Sequence, residues 1–338
     1  MSIDIVIKNH LPEWEQLIKE LREKNKITSE INIEFSNKFI FNATAKKIVS
    51  NDRYLITIDR EVFNMIYNFY HSTVNKENPQ FVKMLSYTGC EMEYNEEYAK
   101  TLADFYVYLT LKFIFLHELG HIMNGHLGYY NSINDGMNHA LNMNEDIAKN
   151  FNGLSAHEYQ MLEINADSFA STNLMIGLLN DFQNSPSYLD RYKKVIPTRN
   201  QLFLMSITSN IILMLIQGMG LVKGGLKLTE SKYIPKRSRL NEILKVYIVF
   251  SNTLNTSEKN LNLGVISPLV DAYQGLVNCY LIQCGYRNAS EFGDYKLSEV
   301  ELNNDLQEYI TKLYKEIWPV IKPKLAPFAY VTYENLGG

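Results

Sequence analysis

Residues 96–124 read EEYAKTLADFYVYLTLKFIFLHELGHIMN, and this stretch decides the fold. From Tyr98 to Asn124 there is no proline, no glycine before Gly120, and no charge before Glu118 except Lys100, Asp104 and Lys112. So long an apolar run without a breaker predicts one helix buried on nearly all sides, an element around which a large domain packs. Such a helix has little room for polar side chains, yet His117, Glu118 and His121 stand together at its end.

Working outward, residues 131–152 hold seven asparagines in 22 positions, which favours turns and exposed loop. A second helix is expected from about Ala156 to Asp181, with Leu162, Ala166, Phe169, Ala170, Leu174 and Leu178 on its broad apolar side. Segments 200–221, 240–254, 265–284 and 302–321 also read as helices. Upstream, Ile3–Ile7, Ile31–Phe35, Phe39–Ala43 and Tyr54–Asp59 look like short strands, while Trp14, Leu17, Ile18 and Leu21 recur at helical spacing. Val62, Ile66, Phe69 and Tyr70 form a helical stripe over 60–74. The expected fold is α+β and mainly helical: a small mixed sheet with helices over 1–95, an active-site helix pair over 96–185, and a helical bundle over 186–338.

The 338 residues carry 33 basic and 37 acidic side chains, and the net charge of −4 excludes a chain-wide basic surface for nucleic acid. The basic group Lys232, Lys236, Arg237 and Arg239 around Pro235 reads as a surface turn rather than a phosphate site. Three cysteines, Cys90, Cys279 and Cys284, make no disulfide framework, and Met1–His10 does not resemble a secretory signal, so a cytoplasmic protein is expected. No charge lies between Arg199 and Lys223, and Leu202–Val222 is long enough to span a bilayer. Ser206, Thr208, Ser209, Asn210 and Gln217 interrupt it, which favours a helix inside the protein over membrane contact.

His117-Glu118-Leu119-Gly120-His121 is an H-E-x-x-H sequence. Histidines at i and i+4 lie one turn apart on one helix face, so both rings can reach a single ion. Glu118 is one residue round, beside the ion rather than on it, where a general base for a metal-activated water belongs. With 7 His and 25 Glu in the chain, random placement gives this pattern about 0.01 times. A catalytic zinc takes three protein ligands and leaves a fourth position open. His126 is out of register for an extended metzincin site, which requires Gly at 124 and His at 127 where this chain has Asn124 and Leu127. His139 and His157 fall in or beside the asparagine-rich stretch. Glu163, on the second helix, is the better third ligand. Asp167, one turn further, is placed to accept the free N–H of a ligating histidine. The small residues Gly120, Ala166 and Ala170 would let the two helices approach closely.

H-E-L-G-H on one helix and E-x-x-A-D-x-F-A on the next resemble the gluzincin metallopeptidases, particularly the HtpX-like and ImmA/IrrE-like families, over about residues 96–180. The resemblance implies a zinc peptidase with His117, His121 and Glu163 as ligands, Glu118 as general base and Asp167 supporting a ligand. Size, the lack of a signal and the helical remainder are also similar to the Lit-type phage-exclusion peptidases, which cleave a translation elongation factor inside the cell. That likeness rests on size and one motif. In enzymes that the chain resembles, an exposed strand beside the active-site helix holds the protein substrate as an added strand, for which Tyr54–Asp59 is the candidate edge; the asparagine-rich loop reads as a lid over the cleft or as a plain surface connection. Many gluzincins bring a downstream His, Tyr or Arg to the oxyanion; Tyr188, Tyr192, Tyr273 and Arg287 leave that role open. The competing reading is a metal-stabilised helical interaction protein without catalysis.

Overall fold

The computed structural model describes residues 3–38, 41–79, 81–82, 95–134, 140–142, 153–184, 192, 195, 198–218, 236–253, 276–277, 280 and 304–331. Helix α1 spans Ile3–Asn25, and β1 (Glu30–Ser36), β2 (Ala43–Ile48) and β3 (Arg53–Asp59) follow before α2 (Arg60–Thr73). The long central helix α3 is Glu96–Met123, α4 is His126–Ile133, β4 is Ala140–Asn142, and α5 is Ala156–Asn184. Helices α6 (Arg199–Gly218), α7 (Lys236–Thr253), α8 (Asn304–Lys312) and α9 (Trp318–Leu325) make up the C-terminal part, with a π-helical turn joining the last two.

The four strands lie in the order β1-β3-β2-β4, with β1 parallel to β3 and the other two pairs antiparallel. The architecture is therefore α+β and mainly helical. One apolar cluster runs from Val6 of α1 to Leu325 of α9 and takes in residues of all three segments of the chain.

Helix α3 is the axis of that cluster, and every residue from Leu102 to Met123 except Asp104 is buried. Its start is fixed by Asn95, whose side chain accepts the Tyr98 N–H at 2.7 Å. Helix α5 starts at a capping box: Glu158 accepts from the Ser155 N–H at 2.9 Å, and the Ser155 hydroxyl accepts from the Glu158 N–H at 3.2 Å.

Two of the expected strands are corrected. Ile3–Ile7 is the first turns of α1, because Val6, Ile7, His10, Trp14 and Ile18 form one buried helical stripe. Trp14 stacks on Phe115 of α3, ring centroids 4.8 Å apart, and that aromatic burial outweighs the local alternation. The strand expected over Phe39–Ala43 runs from Ala43 to Ile48 instead. Ala43 and Ala45 are buried in that strand, and their small side chains let β2 lie close to α3. Positions 39–40 fall outside the described residues.

Tyr54–Asp59 is also corrected as a docking edge. It lies in β3, paired on both sides, by β1 and by β2, and a strand with both edges bonded cannot accept another. The free side of β2 is covered by β4, through pairs Thr44↔Asn142, Ala45↔Leu141 and Lys46↔Ala140. Part of the asparagine-rich stretch is thus ordered structure: α4 takes residues up to Ile133, and β4 takes 140–142. The rest of it, and most of the helix expected over 265–284, fall outside the described residues, as do all three cysteines.

Three of the polar residues of the long uncharged run are bonded inside the protein. Ser206 donates to the Leu202 carbonyl, Ser209 to the Ser206 carbonyl, and Asn210 to the Tyr247 hydroxyl of α7. Among the described residues no helix is long and apolar enough to cross a membrane.

Candidate metal centre

The last turns of α3 cross the middle of α5 at Gly120. A Cβ added there would sit 3.3 Å from the Ala166 backbone and 3.2 Å from the Phe169 ring, so glycine permits the closest approach of the two helices. That crossing brings His117, His121 and Glu163 to one buried point, each about 1% exposed. His117 Nε2 and His121 Nε2 are 3.2 Å apart, and each lies 3.5 Å from an oxygen of Glu163. Four ligands arranged tetrahedrally at zinc–nitrogen distances of about 2.0–2.1 Å are separated from one another by roughly 3.3–3.4 Å. The donor set fits a single zinc-sized ion, and among the described residues it is the group of such donors that could hold one.

Each histidine is backed by a different device. His117 Nδ1 lies 2.9 Å from Asp167 Oδ1. Asp167 is in turn clamped by Arg239 of α7, whose Nε and Nη2 donate to its two oxygens at 2.6 and 2.7 Å. Arg239 Nη1 reaches Glu163 Oε2 at 3.4 Å. His121 Nδ1 instead meets His126 Nδ1 at 2.9 Å, and His126 Nε2 meets Asn165 Oδ1 at 2.9 Å.

Glu118 is buried beside this cluster, and its carboxylate faces the Ala45 backbone N–H of β2, with no side-chain hydrogen-bond partner among the described residues. Burial, reinforced by the Glu163 charge, pushes its pKa up to about 8 against the pull of His117 and Arg239. Burial opposes the charge on His117, but Asp167 and Glu163 overcome it and raise that ring to about 9. Burial lowers His121 and takes His126 down to about 4. For Glu163 and Asp167, burial is outweighed by His117, His121 and Arg239, and both carboxyls are held below their ordinary range.

These shifts give metal-free protein a definite pH response. His117 and Glu118 both have folded-state values above their unfolded ones, so their contributions are present at low pH and lost as pH rises to about 9 and about 8. A rise from 6.5 to about 9 at a fully buried histidine corresponds to about 3 kcal/mol. The unfolding midpoint of chelator-treated protein is therefore expected to fall between pH 6.5 and 9 in a thermal scan. If zinc occupies the cluster, His117 exchanges its proton for the ion, and with excess zinc the slope should be shallower. A midpoint that rises over this window would contradict the assignment.

The structure brings together the residues singled out from the sequence, His117, Glu118, His121, Glu163 and Asp167. It separates others from them. Tyr192 packs on the rings of Phe105 and Tyr108, His157 sits by Tyr309 at 5.8 Å, and His139, Tyr188, Tyr273 and Arg287 fall outside the described residues. Four participants were missed. Arg239 belongs to the basic group read as a surface turn, yet it is 1% exposed and points into the site. His126, Asn124 and Asn165 also surround it. The available signal for Asn165 was its amide between Ile164 and Ala166 on an apolar helix, which calls for a buried partner.

Fold and site together define a helical α+β protein with a buried His-His-Glu cluster that could hold a metal ion. The chain belongs to the Peptidase U49 family, whose model matches residues 22–253. The matched span includes both helices of the cluster and Arg239, and the chain is accordingly a peptidase acting on proteins or peptides. No curated protein and no solved structure matched it significantly.

Proposed function

We propose that this peptidase is a zinc-dependent endopeptidase of the gluzincin type, with His117, His121 and Glu163 holding the ion and Glu118 as general base. The observation that carries the reading is the convergence of His117 Nε2 and His121 Nε2, 3.2 Å apart, on the two oxygens of Glu163, 3.5 Å from Oε2 and Oε1 respectively, at a buried point beside the Glu118 carboxyl. A zinc ion held by His117, His121 and Glu163 would lower the pKa of a water molecule to about 7 and polarise a carbonyl. Glu118 takes the proton of that water as the peptide carbonyl is attacked, then delivers it to the leaving amine. Asp167 orients His117 and is itself held by Arg239. A closed structural site has no use for a carboxyl that stands beside the ion without ligating it, and burying one is costly.

The resemblance noted in the sequence supports a cytoplasmic regulatory or phage-defence protease with an intracellular protein as substrate. The test is incubation of purified protein with cell lysate, with and without a chelator, followed by mapping of new peptide ends. Cleavage that stops on chelation and returns with one equivalent of zinc is expected; cleavage indifferent to the chelator would overturn the metal assignment.

A further inference from the structure

Helix α3 ends at Met123, and Gly125 adopts φ +79°, a left-handed conformation that favours glycine. A Cβ at Gly125 would also lie 2.6 Å from the Ala329 nitrogen. This turn folds α4 back so that its first residue, His126, is buried against His121. The ring nitrogens that meet are both Nδ1, 2.9 Å apart, so one carries the proton and the other accepts it.

The direction can be worked out from the far end. Asn124 Nδ2 donates to Asn165 Oδ1 at 2.6 Å, which marks that oxygen as the acceptor of the amide. His126 Nε2, 2.9 Å from the same oxygen, must then carry a hydrogen. A neutral imidazole has one N–H, so His126 Nδ1 is a lone pair and accepts the Nδ1–H of His121. What remains on His121 is a bare Nε2, the atom 3.2 Å from His117 Nε2 and 3.5 Å from Glu163 Oε1.

We propose that His126 is a positioning residue: with Asn165 and Asn124 it fixes His121 in the Nδ1–H tautomer, so that Nε2 is presented to the metal as a lone pair. The proposal rests on the metal-centre reading above. Its consequence is an asymmetric site. His117 is backed by a carboxylate–arginine pair and His121 by a neutral chain, so the second histidine is oriented without adding another negative charge around the ion.

Two measurements test it. The first is a long-range proton–nitrogen spectrum of wild-type protein with labelled histidine, treated with chelator, the two rings being assigned by substitution. His121 is expected protonated at Nδ1 and His126 at Nε2; a His121 ring protonated at Nε2 would overturn the proposal. The second is zinc affinity by competition with a chromophoric chelator. His126→Leu removes the acceptor and is expected to weaken zinc binding by about 10- to 100-fold, the usual effect of losing a ligand's hydrogen-bond partner. His126→Gln, whose amide oxygen can accept from His121 while its NH2 donates to Asn165, is expected to remain within a few-fold of wild type. His126→Leu binding as tightly as wild type, or His126→Gln failing as badly as His126→Leu, counts against the relay. If His126→Leu does not fold, the wild-type spectrum decides. A wild-type chain that binds no zinc would sink the metal-centre reading, and the spectrum, recorded without metal, still decides the relay by itself.

Discussion

Glu118→Gln is expected to abolish peptide hydrolysis, by roughly 10²- to 10⁴-fold, the range a positioned proton-transfer group supplies. Zinc content should be unchanged, because the proposed ligands are His117, His121 and Glu163 and the Glu118 carboxylate makes no hydrogen bond to any of them. Substrate should still bind, so the loss should fall on kcat rather than KM. The same variant has a second signature in the fold. Glu118 has a pKa raised to about 8 by burial, and a group shifted upward costs the folded state stability as pH rises past that value. Glutamine cannot ionise. The variant should therefore match wild type near pH 6 and exceed it in thermal stability above pH 8, in apo protein. Retained cleavage with retained zinc would sink the general-base role; lost zinc would show that Glu118 supports the ion instead.

How much of this could be read in advance differs element by element. Helix α3 was plain because its length, its lack of breakers and its apolar content all point one way, and H-E-x-x-H needs only the geometry of one helix turn. Glu163 was reachable because α5 carries its own apolar stripe and Glu163 and Asp167 recur at one-turn spacing on it. Strand β2 was not, since Ala43-Thr44-Ala45-Lys46 has weak strand character. The strand exists because β3 pairs with it and because two alanines let it lie close to α3. Nor was the start of α1 legible: Ile3–Ile7 alternates like a strand, and only the stacking of Trp14 on Phe115, residues 101 positions apart, settles the matter as a helix. Arg239 was the hardest. Its neighbours are basic and close to Pro235, a local pattern that reads as exposed turn, and no periodicity links it to Asp167 on another helix.

That buried arginine carries the second large expectation. Arg239 donates twice to Asp167 and lies 3.4 Å from Glu163, so with protonated His117 four charges share one buried pocket in metal-free protein. Removing one partner of a buried ionic cluster leaves the remaining charge uncompensated, at a cost of about 3–5 kcal/mol. Arg239→Leu leaves two carboxylates against the single positive charge of His117, so one negative charge is buried without a counter-charge. Two effects should follow together. The unfolding free energy should drop by that amount in metal-free protein, with the largest loss at neutral pH and a smaller one below pH 4, where the carboxyls protonate. Zinc should partly rescue it, because the ion supplies the positive charge that the arginine withdrew. Arg239→Lys keeps a cation but not the planar fork, which makes two parallel bonds to Asp167, and should fall between the two. Asp167→Asn in the Arg239→Leu background should recover part of the lost stability, since it removes the carboxylate left unpaired, while Asp167→Asn alone should destabilise. The coupling is read from a double-mutant cycle in denaturant titrations. Strict additivity of the two substitutions would mean that Arg239 and Asp167 act independently, and the clamp on His117 would have to be abandoned.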